Sequence, residues 1–553
     1  MANISQTKYI FVTGGVLSGL GKGITAASLG TILKARGFSV NIQKLDPYFN
    51  TDAGTLNPAE HGEVFVTHDG AETDLDLGHY ERFLDEELGQ SSSVMNGRIY
   101  AKVIADERAG KYLGKTVQII PHVTNEIQEQ ILAAGQGFDF HLVEVGGTVG
   151  DYESQATLEA LRQFRRRVGT EHTAYLHLVY LPYLEASHEL KSKPAQNTVR
   201  DLREAGIHPD VILARAERPI EAGIMRKLSL FCDVDEEAIV ALPTVKTVYE
   251  VPLMLEKAGL ADYLCRHFGV KTRRPQLADW QQLVQLIKHP SHRQVTIGVV
   301  AKYMDNEDAY MSVFEAIKAA GWANQAQPRI TWIDAEALET APSAGDLLRD
   351  CDGLVVPGGF GERGVEGKIR AADWAIEQSV PYLGLCLGMQ VGVIAFARRH
   401  GLAGASSTEL NPQTPHPVIH IMEHQKAVTA KGGTMRLGDY ACHLVSGSQA
   451  AAAYGVDTVR ERHRHRYEFN NAYRGRLAKA GLSFAGLSPD GQLVEIVELL
   501  EHPFFMASQF HPEFKSRPGR PHPMFNAFMA AALQHDTTSR NTAIQQEAAA
   551  RHR

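Results

Sequence analysis

Tyr9-Ile-Phe-Val-Thr-Gly-Gly-Val-Leu-Ser-Gly-Leu-Gly-Lys-Gly-Ile24 is the stretch on which the reading of this chain turns. An apolar, strand-like run ends in a glycine-rich turn, and a helix-forming run begins near Ile24. That order predicts a phosphate-binding turn: unpaired N–H groups converge at a helix N-terminus, glycines let the backbone curl around an anion, and Lys22 adds a positive charge. The rest of the first half repeats the theme. Short β-rich runs (9–12, 39–45, 138–145, 173–181, 210–214) alternate with helix-like stretches (24–35, 125–134), which predicts a parallel sheet flanked by helices. The rhythm weakens in the polar stretch 271–292 and restarts at Val295. We therefore expect two α/β domains, residues 1–270 and 293–535, joined by a linker over 271–292 and followed by a disordered tail at 536–553.

The chain has 553 residues, 44% of them hydrophobic and 22% charged, with a formal net charge of −8. This is the profile of a soluble globular protein with enough chain for two cores. The acidic balance removes the bulk attraction on which non-specific nucleic-acid binding depends. No apolar run approaches the roughly 20 residues of a membrane helix. Neither nucleic acid nor membrane is expected as a partner, and the chain reads as cytoplasmic. The five cysteines are widely spaced and form no C-x-x-C pair, which argues against a disulfide framework or a cysteine-rich metal site.

The glycine-rich turn resembles a P-loop with one departure. Gly23 stands where a Ser or Thr usually follows the lysine and touches Mg²⁺, so metal ligands must come mainly from elsewhere. Glu144 is one candidate, because an acidic residue ending an apolar strand and followed by glycines points into the crevice where α/β sheets bind ligands. Asp76 is another, although Asp69, Glu72 and Asp74 beside it fit a solvated acidic loop equally well. One or two carboxylates with phosphate oxygens and waters suit Mg²⁺ at a nucleotide. Lys44 closes the next strand-like run; it is either a surface lysine or a group that stabilises charge developing in phosphoryl transfer.

In the second half, Val380-Pro-Tyr-Leu-Gly-Leu-Cys-Leu-Gly-Met-Gln390 reads as strand, tight turn and helix, with Cys386 at the turn. Peptide dipoles at a helix N-terminus favour thiolate over thiol, so Cys386 is expected to be the most nucleophilic cysteine, and the other four read as packing residues. A later strand-like run ends at His511, with Glu513 two residues on. These supply a base and the group that orients it. A third strand leads into the glycine-rich loop after Leu354, where the N–H of Gly359, with that of Leu387, would receive an oxyanion. The mixed-sign run Arg460 to Glu468 reads equally well as a solvated segment or as part of a site.

Together these segments resemble the CTP synthases, glutamine-dependent ligases that aminate UTP. The resemblance runs along nearly the whole chain through Gly14–Gly23, Lys44–Tyr48, His61–Val66, Glu72–Phe83, Val145–Asp151, Gly384–Gln390, Gly432–Gly438, Arg462–Glu468 and Gln509–Phe514. It implies a P-loop-type parallel-sheet synthase domain followed by a class I glutamine amidotransferase α/β domain. ATP would phosphorylate the 4-oxygen of UTP, and ammonia from glutamine would displace the phosphate. By the same resemblance, ATP would meet Gly19, Leu20, Gly21, Lys22, Gly23 and Ile24, with Asp76 and Val245. UTP, or CTP as feedback inhibitor, would meet Ser18, Asp151, Tyr152 and Glu153, the run Lys191, Ser192, Lys193, Pro194, Ala195 and Gln196, and Lys227. Lys22 and Lys44 would stabilise phosphate, and Asp76 and Glu144 would hold Mg²⁺.

For the second domain the resemblance implies Cys386 as nucleophile, His511 as acid/base and Glu513 as orienter. Gly359, Leu387, Gly388, Met389 and Gln390, with Glu409 and Arg466, would bind L-glutamine. It further implies GTP as allosteric activator, an ammonia tunnel, and a homotetramer whose neighbouring subunits share the UTP site. One departure is Pro243-Thr-Val245, where relatives often have Lys-Asp-Val beside the adenine. A cobyrinate-type amidoligase, fused to the same glutaminase but amidating a carboxylate, is the rival reading. A nucleotide-binding assembly protein without turnover is another.

Overall fold

The structure, a computed structural model, describes residues 7–17, 19–304, 306–422, 425 and 432–536. Ser18 and the tail from residue 537 lie outside the described residues. The chain forms two compact units. The first holds the residues up to Ala53 together with Asp76–Lys288, and the second holds Gly54–Leu75 with the chain from His289 onward.

In the first unit, strands β1 (Lys8–Gly14), β2 (Val40–Asp46), β3 (Ser93–Met95), β4 (Phe140–Val145), β5 (Thr173–Tyr180), β6 (Val211–Ala216) and β7 (Ile239–Pro243) build a 7-stranded sheet in the order β7-β6-β5-β1-β4-β2-β3. Every pairing is parallel. Such a sheet is covered on both faces, which is why its strands read as almost unbroken apolar runs. Phe11, for example, stacks on Tyr175 and meets Phe164 edge-on. Strand order reverses at β1, and a switch point of this kind opens a crevice at the C-terminal ends of the strands. β1 ends there at Gly14. Helix α1 (Lys22–Ala35) starts from Gly21, whose φ of 101° is left-handed and costs glycine little. Helices α2 (Asp76–Leu84) and α3 (Lys193–Glu204) belong to the same unit.

The stretch expected as a linker contains a helix, α4 (Ala278–Lys288), which belongs to the first unit. Trp280, Leu283, Val284 and Ile287 recur at helical spacing within otherwise polar sequence. Trp280 donates to the Tyr249 carbonyl at 2.8 Å and packs against Phe83.

The second unit is a 9-stranded sheet of β8 (Gln294–Ala301), β9 (Gln327–Asp334), β10 (Gly353–Val356), β11 (Tyr382–Leu385), β12 (Arg436–Leu444), β13 (Thr458–His465), β14 (Leu482–Leu487), β15 (Val494–Leu499) and β16 (Phe505–Ser508). The order is β9-β8-β10-β11-β16-β15-β14-β12-β13, parallel as far as β16 and antiparallel beyond it. Helices α5 (Val365–Gln378) and α6 (Leu387–Arg399) supply buried alanines, valines and isoleucines to its core.

Residues 54–75 come from the first half of the sequence yet pack in the second unit. Phe65 meets Phe514 with ring centroids 4.9 Å apart, Arg462 donates to the Val66 carbonyl at 3.1 Å, and the Asp439 amide donates to His68 O at 2.8 Å. Among the described residues, no helix is long and apolar enough to cross a membrane.

Candidate active sites of the two units

In the first unit the strand ends gather Lys22, Lys44, Asp76 and Glu144. Lys22 opens α1 and donates from Nζ to the Gly147 carbonyl at 2.7 Å. Asp76 begins α2, and its carboxylate takes a contact from the Lys44 ammonium at the end of β2. Glu144 lies beside Lys44 across the β2–β4 pairing and accepts from the Tyr80 hydroxyl. A Cβ built on Gly23 would lie 2.5 Å from Asp76 Oδ1 and 3.2 Å from Glu144 Oε2. The two carboxylates thus occupy the place where a serine or threonine hydroxyl usually sits.

Electrostatics agree with a cation site. Burial, and then the neighbouring Asp76 charge, push the Glu144 carboxyl up to about 7, with Lys22 and Lys44 working against the rise. Burial would likewise raise Asp76, but Lys44 and His79 hold it below its ordinary value. Burial lowers the Lys22 ammonium despite Glu144. Two carboxylates that raise the cost of each other's charge are a fit partner for a hard divalent ion. Among the described residues no three His, Cys, Asp or Glu side chains gather around one point, so the pair suits Mg²⁺ that completes its shell with phosphate and water.

Beside this group is a cavity lined by Gly19, Leu20, Gly21, Ile24, Pro243 and Val245, with Val248, Val251 and Met254 adding apolar wall. It brings the glycine-rich turn together with the divergent Pro243-Thr-Val245 run. Thr244 points elsewhere, its amide and hydroxyl both donating to Ala216 O.

Of the described positions assigned to the pyrimidine nucleotide, Asp151, Tyr152, Glu153, Lys193 and Lys227 are exposed, whereas Ser192 and Ala195 are buried. Tyr152 is 87% accessible, and Asp151 accepts from the Thr148 amide at 2.9 Å. Lys191 contacts Glu189, and Gln196 on α3 donates to Ser192 Oγ at 3.1 Å. Lys191 holds the Glu189 carboxyl below its ordinary value, and Lys227 adds weakly to the effect, so the two lysines share a neighbourhood.

In the second unit Cys386 stands between β11 and α6 with φ 54° and ψ −103°, a costly conformation for a residue with a Cβ. Its neighbours explain how the bend fits. A Cβ on Gly384 would strike the Gly388 backbone at 2.7 Å, and one on Gly388 would strike Val356 O at 1.9 Å. The Cys386 amide donates to Ser508 O at 2.7 Å, which ties the turn to β16. His511 follows β16, and its Nδ1 lies 2.7 Å from Glu513 Oε1. A Cβ on Gly358 would lie 3.0 Å from the His511 ring and 3.6 Å from Cys386 Cβ, so the glycine-rich loop passes close to both groups.

Burial would lower the His511 pKa, but the Glu513 carboxylate and then the Cys386 sulfur more than offset it and raise the imidazolium to about 10. Burial pushes the thiols of Cys232 and Cys351 up to about 11 and 12, and Cys265 and Cys442 are raised too. Those four are buried and belong to the core.

The remaining glutamine positions fall around this centre. Gln390 Nε2 donates to Tyr467 O at 3.1 Å, and Arg466 donates to Gln425 Oε1 and Thr434 Oγ1, both at 2.7 Å. Burial raises the Glu409 carboxyl against the pull of the Gly361 amide and Lys302. Met389 is fully buried in the core, which leaves only its main chain for a ligand. Arg460 to Glu468 is not a solvated face: it supplies β13, where Arg462 and His463 are fully buried, and the Arg464 carbonyl is 3.7 Å from Cys386 Sγ.

Several residues at this centre escaped the sequence reading. Gln509 places Nε2 3.8 Å from Cys386 Sγ. Pro58, Glu63 and Val64 line the cavity that holds Cys386, Gly359 and His511. Arg464 pairs with Glu72 at 2.8 Å and covers the Phe360 ring. Gln509 was visible beside His511 in sequence; the 54–75 segment carried no local signal of its destination.

Residues 8–270 match the family described as CTP synthase N-terminus, and residues 306–531 the one described as Glutamine amidotransferase class-I. A CTP synthase of Carboxydothermus hydrogenoformans is 54% identical over 532 residues, covering 96% of this chain and 99% of the relative. One from Chloroflexus aggregans is 56% identical over 532 residues, covering 96% and 97%. Among solved structures, the glutaminase domain of Trypanosoma brucei CTPS with bound acivicin is 40% identical, covers 43% of this chain and 94% of that one, and has a TM-score of 0.41.

Proposed function

The chain belongs to the CTP synthase family, and from that premise we propose how its residues divide the conversion of UTP to CTP with nitrogen from glutamine. In the first unit the turn Gly19–Lys22 receives the ATP phosphates, with Lys22 and Lys44 offsetting charge that builds on the transferred group. The 4-oxygen of UTP takes the γ-phosphoryl group and ADP leaves. Ammonia then adds at the same ring carbon, and inorganic phosphate departs. Asp76 and Glu144 hold Mg²⁺, which when bound neutralises phosphate charge. Lys191–Gln196, Lys227, Asp151–Glu153 and Ser18 take the pyrimidine nucleotide.

In the second unit the Cys386 thiolate attacks the glutamine carboxamide carbon and the carbonyl pair moves onto oxygen, facing the N–H groups of Gly359 and Leu387. The C–N bond breaks as His511 gives its proton to the leaving ammonia. Water then cleaves the thioester to glutamate. Glu513 orients and charges the imidazole, while Glu409, Gln390 and Arg466 hold the amino acid.

The observation that carries this reading is one chain with both a two-carboxylate phosphate turn and a Cys386–His511–Glu513 array. The family resemblance extends it to GTP activation, CTP inhibition, a homotetramer and a cytoplasmic location. Exposed Leu113, Ile119, Leu230 and Phe231 on the first unit give a tetramer apolar surface to bury.

The test is an absorbance assay of CTP formation with glutamine or ammonium as donor, with and without GTP. Cys386→Ala should abolish the glutamine-dependent rate and leave the ammonium-dependent one. Lys22→Ala should abolish both. A Cys386→Ala enzyme dead with ammonium, or a wild type making no CTP from either donor, would refute the assignment.

A further inference from the structure

Two buried lysines of the second unit have no part in the chemistry above. Lys302 and Lys368 are 2% and 0% accessible, and neither forms an ion pair among the described residues. Both turn to the backbone of one loop. Lys368 Nζ donates to Pro357 O at 2.7 Å and Gly358 O at 3.3 Å, and Lys302 Nζ donates to Phe360 O at 2.7 Å and Gly361 O at 3.0 Å. Four carbonyls of the glycine-rich loop after β10 are thereby held by two amines. Burying two amines close together is costly, and burial lowers the pKa of each, Lys302 to about 8.

The consequence lies on the other side of the peptide. In a trans peptide the C=O and the following N–H point in opposite directions. Holding Gly358 O on Lys368 therefore turns the Gly359 N–H away from the lysine. The loop's other side is the cavity lined by Gly358, Gly359, Cys386 and His511, which neither lysine lines. Without such a hold, a Gly-Gly peptide rotates at little cost and presents its carbonyl there as readily as its N–H.

We propose that Lys368, supported by Lys302, is the positioning residue that sets the oxyanion donor of the glutaminase by holding the Gly358–Gly359 peptide in one orientation. The inference rests on the function proposed above. Its contribution falls on one step: as the thiolate adds and the carbonyl pair moves onto oxygen, the Gly359 N–H is already aimed at the new charge.

Lys368→Met keeps the length of the buried stem and removes the donor; Lys368→Gln keeps an N–H. Two reactions at Cys386 are compared. Alkylation by iodoacetamide displaces iodide and forms no oxyanion, whereas glutamine hydrolysis must pass through one. We expect the Met variant to lose about 10²-fold in kcat for glutamine hydrolysis, the scale of a lost oxyanion donor, with KM and the alkylation rate within about threefold because the loss is confined to the transition state. The Gln variant should recover part of kcat. An unchanged kcat in Lys368→Met, or hydrolysis and alkylation falling in parallel in both variants, would reduce Lys368 to a packing residue and overturn the proposal. Absence of hydrolysis in the wild type would instead refute the underlying function.

Discussion

A serine at position 23 would restore the usual ending of a phosphate loop, yet its Cβ would fall 2.5 Å from Asp76 Oδ1. The missing hydroxyl and the carboxylate pair are therefore alternatives for one space. Gly23→Ser should lower ammonium-dependent CTP synthesis by about 10²-fold, the cost of displacing reacting groups by an ångström; a rate equal to wild type would show that Asp76 moves aside freely. The sequence showed the departure at Gly23 and offered Asp76 and Glu144 as substitutes, but not that they fill the vacated space, because that depends on three separate elements converging.

His511 carries the second residue-scale argument. Its folded pKa of about 10 lies above the unfolded value of roughly 6.5. Protonation therefore stabilises the fold fully below about 6.5, and this contribution is lost as pH rises through about 10. Glu513→Gln removes the main raising charge. Urea midpoints should show the variant's deficit to be larger at pH 6 than at pH 10, and iodoacetamide should alkylate its Cys386 about tenfold more slowly at neutral pH as the imidazolium partner is lost. A deficit that grows with pH would invert the sign and sink the account.

At the scale of elements, the 54–75 segment is held by a buried ion pair. Glu72 Oε1 accepts from Arg464 Nε at 2.8 Å, with side chains 1% and 11% accessible, and Glu72 Oε2 accepts from the Gly433 amide at 3.1 Å. Removing one partner of such a pair costs about 3–5 kcal/mol, whereas replacing both by apolar groups costs far less. Glu72→Ala should lose stability of that order in chemical denaturation and open residues 54–75 to limited proteolysis. The double variant Glu72→Met/Arg464→Met should recover part of the loss; equal losses would mean that the segment is held elsewhere. This placement was hidden in the sequence. Glu72 and Asp76 belong to one acidic run, but the boundary between units falls after Leu75, so neighbouring carboxylates serve different bodies. Strands of two residues, Phe65–Val66 and Glu72–Thr73, have too little length for periodicity to reveal a partner. Longer elements were legible: strand, turn and helix at Lys8–Ala35 and at Tyr382–Arg399 stand where hydrophobic pattern and glycines put them. Helix α4 was obscured because its single apolar stripe lies among prolines and polar residues.

Over the whole molecule, two rounds of βα alternation give each unit buried apolar packing of its own, including a cluster around Phe11, Val143 and Phe164 in the first and one around β10, β11 and α6 in the second. A chain that threads from one unit into the other and back should open by unit rather than by order along the sequence, because cooperative units follow buried contacts. Hydrogen exchange under mild denaturant tests this directly. Ligand that binds only the folded first unit stabilises it by about 2.7 kcal/mol at a hundredfold excess over Kd. A non-hydrolysable ATP analogue with Mg²⁺ should therefore slow exchange in β1, α1, β2 and β4 as one group. Peptides from residues 54–75, although flanked in sequence by that group, should keep the exchange rate of β12 and β13, to which Val66, His68 and Glu72 are bonded. Protection of 54–75 in step with α1 would show that chain connectivity, and not the buried pairs with Arg462 and Arg464, governs its stability.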